Sequence, residues 1–307
     1  MTVSETRTPE VHTARPLPGG PVAEAVFAEV TARVAALRRT GVVPSLATIL
    51  VGDDSASAGY IRMKQRRAAD LGFASPHIHL PGTAGQADLV RAIREFNEDP
   101  QVHAILVQHP TPAHLDYPAA ILTIDPAKDV DGLHPESLGR LAAGLPGPVP
   151  CTPAGIEALL AFHQIPVAGR DVVVLGRGTT LGRPLSLLLG QKRPTADAAV
   201  TVVHSGVPDW ARHTRRADIV VAAVGVPGIV RPEHLRPGAV AIGGGVRYQG
   251  RRLLPDLDEA CASVAGAITP RVGGVGPTTV AMLFRNAVEL AERQSTASTG
   301  DPEHLDR

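Results

Sequence analysis

GRDVVVLGRGTTLGRPLSLLLGQ, residues 169–191, decides the fold of this chain. VVVL is a β-branched run of strand length, the glycines Gly176, Gly178 and Gly182 follow it, and PLSLLLGQ continues as a helix. A strand, a glycine loop and a helix in that order bring backbone N–H groups and a helix N-terminus to a phosphate. The spacing GxGxxxG carries one residue more than the common dinucleotide fingerprint, and glycine turns between strands and helices are frequent, so it is the place after VVVL that favours a nucleotide. The next strand, AVTVVHS, narrows the cofactor. An NAD site usually ends this strand on Asp or Glu to hold the ribose 2′-hydroxyl, whereas here it ends on His204 and Ser205. Arg177 in the loop and Ser205 suit a 2′-phosphate and point to NADP, against the plain reading that Arg177 only faces water. Asp197, about 20 residues past the loop, lies in the polar insert QKRPTADA and is discounted as the missing acid.

Downstream, ADIVVAAVG and GAVAIGGG are nearly continuous apolar runs, as parallel strands covered on both faces should be. The first places Val224 and Gly225 at a carboxyl strand end, where open α/β sheets bind ligands. TPRVGGVGPTT then leads into the amphipathic VAMLFRNAVELAERQ; its small residues and Pro277 let a backbone, at Gly274 for instance, pass close to a flat ligand, or simply form a tight turn. Upstream, helix and strand patterns alternate: PVAEAVFAEVTARVAALRRTG, PSLATILVG, GYIRMKQRRAADLG, HIHL, DLVRAIREFNED and VHAILVQ. That rhythm implies βαβ crossovers and a parallel sheet. A stretch rich in proline and glycine follows, with a domain boundary expected near Pro150, and TPAGIEALLAFHQ reads as a helix capped by Thr152.

The chain has 307 residues, 44% hydrophobic and 20% charged, which is enough for two domains with a large core. Thirty basic and thirty acidic residues leave no net charge, which argues against general binding to nucleic acid or an anionic membrane and for small-molecule partners. Cys151 and Cys261 lie far apart and form no CxxC, so neither a disulfide framework nor a zinc site is indicated, and a reducing cytoplasm fits. His77 and His79 share a strand face without clustered partners, so no metal is expected. No apolar run is long enough to span a bilayer, and the opening residues lack a signal-peptide core; residues 1–18 read as a mobile polar leader.

GYIRMKQRR, residues 59–67, holds one of only three lysines among thirty basic residues. Lysine differs from arginine in that its amine can lose a proton when its surroundings disfavour charge. Lys64 is therefore a candidate acid/base group, against the plain reading of a solvated helix face.

VGDDSAS followed by YIRMK, then ILVQHPTP, DPAKDVDGLHPESLGRL, PCTPAGI, VVVLGRGTTLGRP, VVHS, ADIVVAAVGVPG and GGVGPTT, occur in an order and spacing that resemble the bifunctional methylenetetrahydrofolate dehydrogenase/cyclohydrolase family, from about Pro44 to about Glu292. The resemblance implies two α/β domains around a cleft: a folate-binding catalytic domain over 1–150, completed by a C-terminal helix over 279–307, and a Rossmann-like NADP-binding domain with a parallel sheet over 151–278. It implies a cytoplasmic homodimer joined through the NADP domains. The activity would be one-carbon folate interconversion, on the side of purine biosynthesis: 5,10-methylenetetrahydrofolate is oxidised with NADP, and the methenyl product is hydrolysed to 10-formyltetrahydrofolate. By position, Lys64 resembles the family's catalytic lysine and Gln108 the glutamine that limits its charge. Tyr60, one helical turn before Lys64, resembles the residue that stacks on the aminobenzoyl ring, and Asp131 the carboxylate that receives the pterin N–H groups. The plain readings are a packing residue for Tyr60 and a turn former for Asp131.

Five positions depart from the family's pattern: Gly178 stands where serine is usual, Gly243 where aspartate is, Val272 opens the PGGVGP segment, and His109 and Thr111 replace leucines. They leave room for a relative with only one of the two activities or a specialised pathway. A non-catalytic folate-binding module is disfavoured by the intact Tyr60, Lys64, Gln108 and Asp131, and a short-chain dehydrogenase by a YxxxK that precedes the glycine loop.

Overall fold

The computed structural model describes residues 13–249 and 252–299, and the chain divides into two compact α/β units. The N-terminal unit comprises Gly20–Ala158 and the chain from Gly276 onward; the glycine-loop unit comprises Leu159–Val275 and the chain up to Gly19.

The first strand, β1 (Arg15–Pro16), pairs in parallel with Ala267–Ile268 of the glycine-loop unit, and Leu17 behind it is fully buried. Residues 13–18 are thus not a mobile leader: backbone bonds from Ala14, Arg15 and Leu17 to Ala262, Gly266 and Ile268 tie them down, while residues 1–12 lie outside the described residues. The polar composition that suggested a leader is real, since Arg15 and Pro16 are exposed; the strand exists because its backbone finds a distant partner.

In the N-terminal unit, α1 (Gly20–Arg39) buries Val22, Ala23, Val26, Val30, Val34 and Leu37, a helical stripe that ends before Gly41 at φ 85°. β2 (Leu46–Val51) is buried along its whole length, as the middle strand of a parallel three-stranded sheet must be. α2 (Ser55–Leu71) starts where the Asp54 side chain accepts the Ser57 N–H and stops at Gly72 in the left-handed region. β3 (His77–Leu80), α3 (Gln86–Glu98) and β4 (Ala104–Val107) complete the order β3-β2-β4. Two short helices follow, α4 (Tyr117–Ile121) and α5 (Pro135–Ala143), and then α6 (Cys151–Phe162), which begins one residue before Thr152, so Thr152 is inside the helix rather than its cap.

The glycine-loop unit is built from β5 (Asp171–Leu175), α7 (Gly182–Leu189), β6 (Ala199–Val203), α8 (Ala211–Thr214), β7 (Ile219–Ala222), β8 (Val240–Gly243), the antiparallel pair β9 (Val246–Gln249) and β10 (Arg252–Pro255), and β11 (Ala267–Ile268). Its six-stranded sheet has the order β1-β11-β8-β7-β5-β6, with every pairing parallel. The order reverses beside β5, which puts a topological switch point at the glycine loop.

The last helix, α9 (Val275–Thr299), returns to the N-terminal unit and buries Ala281, Phe284, Ala287, Val288 and Ala291 in the core formed with α1 and β2. Phe284 meets Phe27 and Phe73 edge-on, with centroids 6.2 and 5.5 Å away. The boundary between the compact units falls inside α6, after Ala158. The physical reason is packing: the Asn286 amide of α9 holds Val130 and Val149, and Gly155 of α6 lies so close to α9 that a Cβ would sit 2.5 Å from Thr278 Oγ1. The second boundary follows Val275, three residues before the expected one.

Candidate active site

α2 places Tyr60 and Lys64 one turn apart on one face, with Tyr60 40% exposed and Lys64 half-buried. The Lys64 Nζ donates to Gln108 Oε1 over 2.9 Å. Gln108 extends β4, its own N–H bonded to Ile49 O, and its Nε2 donates to the carbonyl of His109 at 2.6 Å. With the amide NH2 held by that carbonyl, the amide oxygen faces the lysine. An uncharged acceptor satisfies the amine without the strong pull of a carboxylate toward the charged form. Burial pushes the Lys64 pKa down, against the attraction of Asp131.

Asp131 and Asp129 of the DVDG turn do different work. Asp129 is fully buried and its Oδ2 accepts the His134 N–H and the Ser137 hydroxyl, at 2.8 and 2.7 Å, so it holds the turn together. Asp131 is left for other partners. Burial pushes its carboxyl up to about 6, with Lys64 opposing and Asp129 reinforcing the shift. Gly132 allows the turn: its φ is 67°, and a Cβ would lie 2.7 Å from Pro150 N.

Three residues that sequence reasoning passed over support this cluster. The Cys151 thiol points at Asp131 Oδ1 over 3.7 Å and at Val130 O over 3.6 Å, and burial raises its pKa well above the ordinary thiol value. Asn286 donates its Nδ2 to Val130 O and Val149 O, each at 2.9 Å; an asparagine on the apolar face of a helix was the available signal. Tyr117 meets His109 edge-on at 4.8 Å, and burial beside Asp131 keeps its phenol protonated. Partial burial pushes the His109 pKa down, and the residue contributes a ring edge to Tyr117 and a carbonyl to Gln108. Of the arginines around Lys64, Arg67 stacks on Phe27 at 4.5 Å, while Arg62 and Arg66 are exposed.

In the glycine-loop unit, Gly176 (φ 123°) and Gly182 are required by packing: a Cβ would fall 2.3 Å from Ala223 O at the first and 2.3 Å from Gly176 O at the second. Gly178 has open space around it, so the serine usual there would fit and its absence distorts nothing. Arg177 and Ser205 are exposed, and His204 Nδ1 accepts the Gly206 N–H at 3.1 Å. A guanidinium, a hydroxyl and no carboxylate at the end of β6 form a donor set that fits an anionic 2′-phosphate.

The N–H groups of Val224 and Gly225, residues expected to meet a cofactor, both donate to Asp256 Oδ2, at 2.8 and 3.0 Å. Their amides are therefore not available to a ligand, and the buried Asp256 is a further residue the sequence reading missed. Gly274 is fixed by its own turn, where a Cβ would lie 2.6 Å from Pro270 O, and it falls in the glycine-loop unit, whereas Pro277 is in the first turn of α9 in the N-terminal unit. Of the other departures, the Gly243 N–H donates to Thr269 Oγ1 and Val272 is 68% exposed.

Two family profiles cover the chain: "Tetrahydrofolate dehydrogenase/cyclohydrolase, catalytic domain" matches residues 17–131, and the NAD(P)-binding domain of the same family matches residues 150–295. The chain belongs to the tetrahydrofolate dehydrogenase/cyclohydrolase family. It is 70% identical over 286 residues to Bifunctional protein FolD 1 of Salinispora tropica, covering 93% of this chain and 94% of that protein. It is 56% identical over 279 residues to Bifunctional protein FolD of Syntrophotalea carbinolica, covering 91% and 96%. Among solved structures it is similar to the methylenetetrahydrofolate dehydrogenase-cyclohydrolase (FolD) of Trypanosoma brucei complexed with NADP cofactor and inhibitor: TM-score 0.85, 39% identity, 92% of this chain and 99% of that one. The family's NAD(P)-binding profile runs on to residue 295, through α9, although α9 packs in the N-terminal unit.

Proposed function

We propose that this member of the family oxidises 5,10-methylenetetrahydrofolate with NADP and hydrolyses the methenyl product to 10-formyltetrahydrofolate, with Lys64 as the proton-handling group. The observation that carries the reading is the Lys64–Gln108 pair at 2.9 Å, with Asp131 acting on the same lysine.

NADP, when bound, supplies the hydride acceptor. For this the chain offers Arg177 and Ser205 to the 2′-phosphate, and the glycine loop and α7 N-terminus to the pyrophosphate. In the N-terminal unit, the exposed Tyr60 ring stacks on the aminobenzoyl group and Asp131 receives the pterin amino and ring N–H groups. At pH 7.5 a carboxyl with pKa about 6 is ionised by a ratio of about 30 to 1, so the acceptor is in its charged form.

Hydrolysis needs a base that is uncharged beside a cation. Burial already lowers the Lys64 pKa, and the positive methenyl group lowers it further, since like charges disfavour each other. Water oxygen bonds to the methenyl carbon while Lys64 Nζ accepts the proton that water gives up; ring opening then breaks the C–N5 bond as the new hydroxyl proton passes to N5. Gln108 holds the amine in place without fixing its charge.

A homodimer joined through the glycine-loop unit is supported by β6, an edge strand with Val202 exposed, and by the exposed Leu187 of α7. The two buried free cysteines fit a cytoplasmic location. The test is to measure NADPH formation from methylenetetrahydrofolate and hydrolysis of methenyltetrahydrofolate separately on the purified protein. Both activities are expected, and absence of both defeats the reading.

A further inference from the structure

Asp256 stands where three segments of the glycine-loop unit cross. Its backbone N–H bonds to Gly245 O at 3.1 Å, its carbonyl accepts the Val230 N–H at 3.1 Å, and its Oδ2 accepts the N–H groups of both Val224 and Gly225. The side chain is fully buried, and no other side chain donates to Oδ2 among the described residues. Gly244 and Gly245 both donate to Ala222 O, the last residue of β7, so the ends of β7 and β8 are joined on one side and clamped by the carboxylate on the other.

The sequence around the clamp is shaped to it. Gly225 has φ 68°, a conformation that turns the chain away from the strand direction immediately after β7. At Gly245 a Cβ would sit 2.0 Å from Asp256 Oδ2 and 2.8 Å from Gly225 N, so only glycine leaves the carboxylate its place. On its other side the end of β7 meets the glycine loop itself: Ala223 O is the atom that a Cβ at Gly176 would strike. The 223–226 turn is thus bounded by the cofactor loop on one face and by Asp256 on the other.

We propose that Asp256 is a positioning residue of the dinucleotide site: by clamping the amides of Val224 and Gly225 it fixes the turn after β7 that forms the wall beside the Gly176 loop. This rests on the proposed use of that loop for NADP. Asp256 need not touch the cofactor. Its effect is to present the carbonyl side of the turn, and Val224 beside Gly176, in a single conformation, because all the N–H groups it holds point inward.

The bonds from Val224 and Gly225 fall on one oxygen, so asparagine can offer its amide oxygen in the same place, whereas alanine leaves both part-buried amides without that acceptor. The test compares the wild type, Asp256→Asn and Asp256→Ala for the KM of NADP and the kcat of hydride transfer, with methenyl hydrolysis measured on the same preparations. The candidate groups for hydrolysis lie in the other unit. The expected result is a KM for NADP raised about tenfold or more in Asp256→Ala, restored to within about threefold of wild type in Asp256→Asn, with hydrolysis unchanged in both. An unchanged KM in Asp256→Ala overturns the proposal, as does a loss in Asp256→Asn equal to that in Asp256→Ala. If Asp256→Ala does not fold, Gly245→Ala displaces the same carboxylate: a raised KM for NADP supports the proposal and an unchanged one overturns it. A wild type with no hydride transfer would instead defeat the underlying reading of the site.

Discussion

Replacing Asp131 by asparagine should make the N-terminal unit more stable while removing its function. The carboxyl is held at about 6 against an ordinary value of 3.8, chiefly because burial disfavours its charge. The sign follows from proton binding: between pH 3.8 and 6 the folded state holds a proton that the unfolded chain has lost, so stability falls as pH rises through this window and stays low above it. The difference of about 2 pKa units corresponds to about 3 kcal/mol of unfavourable free energy at pH 7.5. An amide in place of the carboxylate carries no charge, so Asp131→Asn should raise the unfolding free energy by up to about 3 kcal/mol at pH 7.5, less whatever Lys64 loses with its counter-charge. The gain should vanish near pH 4. The two free cysteines give a local probe, since Cys151 lies in the N-terminal unit and Cys261 in the other, both buried. Thiol labelling during urea unfolding, mapped to Cys151, follows the relevant unit alone. A variant no more stable at pH 7.5, or a gain equal at pH 4 and pH 7.5, would refute the reasoning.

Protonation of Asp131 should also weaken folate binding, so kcat/KM of both activities should fall as pH drops through about 6; a pH profile flat to pH 5 would remove Asp131 from substrate recognition. Gly132→Ala combines a positive φ with a Cβ 2.7 Å from Pro150 N, and should cost about 1–3 kcal/mol or more of stability in the N-terminal unit, read by the same Cys151 labelling. Arg177→Ala should raise the KM for NADP by about tenfold to a hundredfold and leave that for NAD nearly unchanged, measured by hydride transfer with each cofactor.

The central parallel strands and their helices were legible because both faces of those strands are covered, which writes apolar runs such as ATILV and DVVVL into the sequence. β1 was not, since two exposed residues acquire strand geometry only by pairing with Ala267 and Ile268, some 250 residues later. The β9–β10 pair was also missed: it lies outside the main sheet and carries Arg252 at one end of its register and Arg247 opposite Leu254, with no apolar run to mark it. At the site, the pairing of Lys64 with Gln108 followed from the resemblance, but its physical basis did not. That basis is the His109 carbonyl, a backbone group that turns the Gln108 amide. At Val224 and Gly225 a strand end near a glycine loop says where the residues lie, while only the fold shows that Asp256 holds their amides.

The central claim is that Lys64 acts by being able to give up its charge. It is tested most directly by measuring methenyl hydrolysis and NADP binding in Lys64→Met and Lys64→Arg beside the wild type. The account predicts that hydrolysis falls by about 10²- to 10⁴-fold in both variants, because neither methionine nor a permanently charged guanidinium can take a proton from water, while NADP binding is unchanged. Hydrolysis at the wild-type rate in either variant would contradict it.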